Sequence, residues 1–184
     1  MHPRAAALAA IFLALAVPAG AAVTVIGSNA ARQCYEAAAA PFVPQPETLA
    51  LCDRAIDGPP LGTRDLIATY VNRGILRVRS GDLARGIEDF DAAIAREPAV
   101  AEAWFNRGVA LLRTRGAAAA LPSFDQAVER GTDRPALAYF GRAVALEALG
   151  EVRRAYADYR RASELDPDWD RPRTELARFS VRGD

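Results

Sequence analysis

Asn-Arg-Gly occurs at residues 72–74 and again at 106–108, and the residues around it return at the same interval of 34. Gly74 is matched by Gly108, Phe90 by Phe124, Asp91 by Asp125 and Ala93 by Ala127. A chance tripeptide leaves its neighbours unrelated, whereas a recurring frame of this length marks one supersecondary unit copied along the chain. A third copy follows one residue late. The stretch GTDRP lengthens the turn before it, so that Phe124 to Tyr159 and Ala127 to Ala162 are each 35 apart. The units span 67–100, 101–134 and 136–169.

Within a unit the apolar residues keep a helical spacing that breaks once. In the first they are Tyr70, Val71, Ile75 and Val78, then a break at Gly81, then Leu83, Ile87, Phe90 and Ile94. Each unit is therefore expected to be a helical hairpin. Asp82 suits the cap of the second helix, and Pro98 and Pro167 close the second helices of units one and three, because proline disfavours helical geometry in the residue before it. Pro122 falls inside a second helix, where a missing amide costs about 3 kcal/mol, and a local distortion is expected there.

The small residues Gly74, Gly108 and Ala93, the aromatics Trp104, Phe90, Phe124 and Tyr159, and the prolines Pro98 and Pro167 match most positions of the tetratricopeptide pattern, and the segment 67–169 resembles that family. It departs from it at Arg73, Arg107 and Arg142, which stand where leucine is usual, at Ala143 in place of the third glycine, at Thr132, where the second unit ends without proline, and at Gly86, where alanine is usual. The resemblance implies an all-α fold, a right-handed superhelical stack of helical hairpins. Such a stack needs covered ends. Residues 23–66 read as a degenerate N-terminal hairpin and linker, and 170–184 as a capping helix and tail, with Asp170 as its cap and Trp169, Leu176 and Phe179 on its apolar side.

Chemistry bounds what the stack can do. The 23 basic residues are all arginine and balance 23 acidic ones, so no net field attracts nucleic acid or an anionic membrane. Arg4, a run of 13 uncharged residues, then Pro18 and small residues read as a secretory signal peptide over 1–22, cleaved after Ala21 or Ala22. The run is too short, at about 20 Å of helix, to span a bilayer. Cleavage removes His2 and Met1, the single copies of those residues, leaving no imidazole for base catalysis or zinc. No phosphate loop or nucleophile elbow appears, and the alternating acids at Asp166, Asp168 and Asp170 lack the glycine and glutamate of a calcium loop. Neither a catalytic residue, a metal nor a cofactor is expected. In an oxidising compartment, periplasmic or secreted, Cys34 and Cys52 are expected to form a disulfide joining two short helices, contributing roughly 3 kcal/mol.

In tetratricopeptide proteins the first helices of the pairs line a concave face that holds peptides or partner helices. The resemblance places on that face Val71, Asn72, Ile75 and Arg79 from the first unit, Glu102, Phe105, Asn106, Val109 and Arg113 from the second, and Leu137, Phe140, Val144 and Glu147 from the third. One carboxamide offers both a donor and an acceptor, so Asn72 and Asn106 could each bind a peptide backbone at two points. The family's carboxylate clamp is disfavoured. Val71, Ile75, Leu137 and Gly141 stand where its cations and amides are needed, and only Asn106 fits. Arg73, Arg107 and Arg142 form a second row, expected to pair with acids such as Glu88 or Asp89 on second helices. The leading expectation is a non-catalytic adaptor for a protein or peptide of the cell envelope; the alternative is a scaffold assembled from copies of itself. An enzyme built on paired carboxylates ranks third.

Overall fold

The computed structural model describes residues 22–26, 29–41, 44–114 and 116–179; the expected signal peptide lies outside them except for Ala22. Among the described residues there are nine α-helices and no strand: α1 (Asn29–Ala39), α2 (Pro46–Asp57), α3 (Thr63–Arg79), α4 (Leu83–Arg96), α5 (Ala101–Thr114), α6 (Ala117–Glu129), α7 (Pro135–Ala148), α8 (Val152–Leu165) and α9 (Asp170–Leu176). Each helix packs on its neighbours in sequence, and α1 with α3, α3 with α5 and α5 with α7 also touch, so successive hairpins stack. α3 begins at Thr63, ahead of the repeat frame at Ile67.

Glycine makes the hairpin turns. Gly81 adopts φ 89° and Gly150 φ 81°, the left-handed region where a side chain is strained. Behind Gly81 the Asp82 amide reaches the Arg77 carbonyl at 2.8 Å and the Gly81 amide reaches that of Val78 at 3.2 Å. Glu151 to Leu146 and Gly150 to Glu147 repeat the pattern, which satisfies carbonyls left open at the helix end. Asp82 then caps α4, accepting from the Arg85 amide at 3.2 Å. Helix α6 runs unbroken through Pro122, which lies on its exposed side, where water can satisfy the carbonyl left without a partner. At the C-terminal end Trp169, not Asp170, occupies the cap position of α9, and no side-chain cap bond forms.

One continuous core runs from Cys34 to Ala162. Its largest fully buried side chains include Tyr159, Phe90, Phe105 and Phe124. Phe90 fills the space over Gly74, and Phe124 does the same over Gly108 and Gly141. The small residues of the repeat thus let helices approach until a ring from a neighbouring helix closes the gap. Cys34 of α1 is bonded to Cys52 of α2 with their Cα atoms 5.0 Å apart. That bond ties together the hairpin under the first repeat.

Candidate functional site

Helix α3 places Asp65, Ala68 and Asn72 at spacings of three and four, hence along one face. Against that face lies the extended segment 22–26. Asn72 is fully buried, and its carboxamide oxygen accepts from the Val23 amide at 2.9 Å while its amide nitrogen donates to the Val23 carbonyl at 2.8 Å. Only this orientation of the carboxamide satisfies both main-chain groups. Further along, the Ile26 amide donates to Asp65 Oδ1 at 3.2 Å. Val25, between them, is 5 % exposed and sits with Ala31, Ala55 and Ala68 in a small second core.

The spacing is self-consistent. From Val23 to Ile26 an extended chain covers about 10 Å, and from Asp65 to Asn72 a helix rises about 10.5 Å. The segment therefore runs antiparallel to α3 with one polar side chain under each end. This two-point grip on a main chain is the chemistry that Asn72 offers in the sequence; what the sequence did not reveal is that residues of the same chain meet it. The alternation Val23, Thr24, Val25, three β-branched residues in a row, was the available signal.

The other inner-face residues divide by burial. Val71, Ile75, Phe105, Asn106, Val109, Phe140 and Val144 are buried and offer no free surface. Phe105 faces Phe124 at 6.4 Å between ring centres. Phe140 is enclosed by Tyr159 at 5.3 Å and by Trp169 at 4.9 Å, so the end of the third repeat covers it. Asn106 donates to the Glu102 carbonyl one turn back, at 2.8 Å. The accessible remainder is Arg79, Glu102, Leu137 and Glu147, half-buried, with Arg113 exposed.

These charged groups already have work within the fold. Arg79 Nη1 donates to the Ala40 carbonyl at 2.7 Å, while its buried Nη2 has no hydrogen-bond partner. Burial, then repulsion from Arg134, lowers its pKa from the ordinary arginine value. Glu102 accepts from the Asp133 amide at 3.1 Å, and burial followed by the Glu102 charge raises the Asp133 carboxyl. Glu147 accepts from the Tyr159 hydroxyl at 2.8 Å and pairs with Arg178. Arg113 reaches the Val78 carbonyl at 3.3 Å.

The arginine row forms a ladder on the second-helix side. Arg73 grips Asp89 with two nitrogens, at 2.7 and 3.0 Å, and Asp53 with a third at 2.8 Å. Arg142 does likewise with Asp158, at 2.7 and 2.9 Å, and with Asp125 at 3.2 Å. Arg107 bonds Asp91 at 2.6 Å and the Ser123 hydroxyl at 2.8 Å. Every arginine of the row thus ties the second helix of its own hairpin to that of the hairpin before it. Asp89 was an expected partner; Glu88 is exposed and takes no part in the ladder.

With this architecture in place, the repeat can be compared with known proteins. Tetratricopeptide repeat families match residues 71–135 (TPR_16) and 136–169 (TPR_2), together more than half of the chain. The chain belongs to the tetratricopeptide repeat family. Among solved structures it is similar to the first TPR of Spaghetti (RPAP3) bound to the HSP90 peptide SRMEEVD. That match has 24% identity and TM-score 0.57, and covers 60% of this chain and 87% of that one. The first TPR domain of human RPAP3 matches at 24% identity and TM-score 0.58, covering 63% and 90%. A MamA RS-1 double mutant matches at 21% identity and TM-score 0.62, covering 71% and 70%. At these identities the likeness is one of fold. No curated protein matches the chain.

Proposed function

We propose that this protein is a non-catalytic adaptor that holds an extended segment of a partner protein against the first helices of its repeats. The observation that carries the reading is the Asn72 carboxamide, which binds the amide and the carbonyl of Val23 at once. A grip on main chain is indifferent to side chains, and neighbouring apolar contacts then select among sequences. The similarity to a tetratricopeptide domain bound to a peptide supports the same reading. Because Phe105 and Phe140 are interior, contact with a partner falls to the accessible rim of Arg79, Glu102, Arg113, Leu137 and Glu147, and to the face of α3 now covered by residues 22–26.

The partner is a protein of the cell envelope, met in the periplasm or outside the cell. A signal-like N-terminus and a disulfide between the two cysteines both suit an oxidising compartment. Photo-crosslinking in cells tests the adaptor reading. A crosslinker at Arg113 or Leu137 should capture one discrete protein, and one at Glu88 or Glu129, exposed on second helices, should not. Equal capture from both sets would remove the reading.

A further inference from the structure

Residues 22–26 do to Asn72 and Asp65 what a bound peptide would do, and they do it from within the chain. Resting on the adaptor reading, we infer that this segment is a tethered, displaceable occupant of the α3 site, and that the partner's binding element is an extended stretch of the same kind. Its requirements follow from the contacts. One residue gives its amide and carbonyl to Asn72. Two positions on, a β-branched apolar side chain enters the space lined by Ala31, Ala55 and Ala68. One position further, an amide reaches Asp65. Tyr35 and Leu61 border the same space, and Val25 fills it, so a branched aliphatic side chain of that size is what the site takes.

The tether is built to yield. Among the described residues the segment makes three side-chain hydrogen bonds, buries Val25 and rests the partly buried Ala22 and Val23 on the main core, while Ile26 is 78 % exposed. So few contacts hold it that it can open locally while the disulfide-tied hairpin beneath stays folded. An incoming strand that repeats the contacts keeps the Asn72 carboxamide paired with main chain, whereas simple departure trades both bonds for water and exposes the apolar surface around Val25. Exchange is therefore favoured over loss, and the free site is a minor state. Apparent affinity for a partner is reduced by the fraction of chains that are open.

A labelled peptide of sequence AVTVI, copied from residues 22–26, tests this on the full chain by fluorescence anisotropy. Val25→Asp places a charge in the small core and expels the tethered segment, and Val23→Pro removes the amide that Asn72 accepts. Either variant should bind the peptide roughly tenfold or more tightly than wild type, since an open state below about 10% of the population is being made dominant. Adding Asn72→Ser to Val23→Pro should abolish the gain. Circular dichroism and the intact disulfide verify that each variant is folded. Hydrogen exchange gives a second measurement that needs no expelled segment: the Ile26 amide should be protected in wild type and exchange freely in Asn72→Ser. Equal peptide binding by wild type and both folded variants would overturn the inference, as would an unprotected Ile26 amide in wild type. Capture at Arg113 and Leu137 would stand in either event, so the two readings fail separately.

Discussion

The Cε1 atom of Phe124 stands 2.6 Å from where a Cβ on Gly141 would be and 2.9 Å from where one on Gly108 would be. A single ring thus seals the hairpin to which it belongs and the hairpin that follows. The ring is fully buried and has nowhere to retreat. Gly141→Ala should therefore destabilise the protein by about 1–3 kcal/mol through overpacking. Gly62→Ala is the control: nothing lies within 4 Å of its added carbon and its φ of −58° is ordinary, so its cost should stay within about 1 kcal/mol, that of exchanging glycine for alanine at the N-cap of α3. Urea unfolding measures both. Equal midpoints would show that the close approach of α6 and α7 is not what holds them together.

The arginine ladder separates buried from exposed ion pairs. Asp89 is 2 % exposed and receives Arg73 and Arg77, the latter at 2.8 Å, so Asp89→Ala takes the buried counter-ion from two largely buried guanidinium groups and leaves them only the half-exposed Asp53. A loss of about 3–5 kcal/mol is expected. The Asp91 side chain, 51 % exposed, is held by Arg107 through a single nitrogen, and its replacement by alanine should cost under about 1 kcal/mol. A comparison by chemical denaturation checks the contrast. Near-equal losses would mean that burial does not set the strength of the rungs.

Much of this architecture was legible because it is local and repeated. The interval of 34 exposed the hairpins, and the small and aromatic positions within it located Gly74, Phe90, Gly108 and Phe124, which the fold brings together. Pairing of Arg73 with Asp89 was legible for the same reason, since both lie in one unit. The rungs to Asp91 and Asp125 were not, because those acids belong to the preceding unit and the stacking offset decides which residue they meet. Burial of the inner face was also hidden. Periodicity tells which side of α7 carries Phe140, but not that Trp169, beyond the next helix, will cover it. The contact of Val23 with Asn72 spans 49 residues and joins an extended segment to a helix, so no local pattern encodes it.

Cys34 and Cys52 close a short loop at the N-terminal end of the stack, where one hairpin of mainly small residues must support the first repeat. Titration of the unfolded protein without reductant should find no free thiol. Cys34→Ser with Cys52→Ser should lower stability by roughly 3 kcal/mol, most of it through the greater freedom of the unfolded chain. Because the same hairpin supports Val25, hydrogen exchange at the Ile26 amide should quicken in the double variant before that of α7 does. A double variant as stable as wild type would show that α1 and α2 dock on α3 without help from the bond.

Tyr159 supplies a pH dependence whose sign follows from its surroundings. Burial, then the hydrogen bond to Glu147 and the charge of that carboxylate, hold the phenol neutral well above its ordinary value of 10. In the unfolded chain the same phenol ionises near pH 10. The native state then keeps a proton that the unfolded state releases, so the stabilisation is fully present below about pH 10 and is lost as the pH rises beyond it. The slope from this one group approaches about 1.4 kcal/mol per pH unit. Tyr159→Phe should cost about 1 kcal/mol near neutrality through the lost hydrogen bond and should flatten the alkaline decline. Urea midpoints between about pH 8 and about pH 11 measure both effects. If the variant and wild type lose stability in parallel across that range, the Tyr159 hydroxyl is not the group that makes the fold sensitive to alkali.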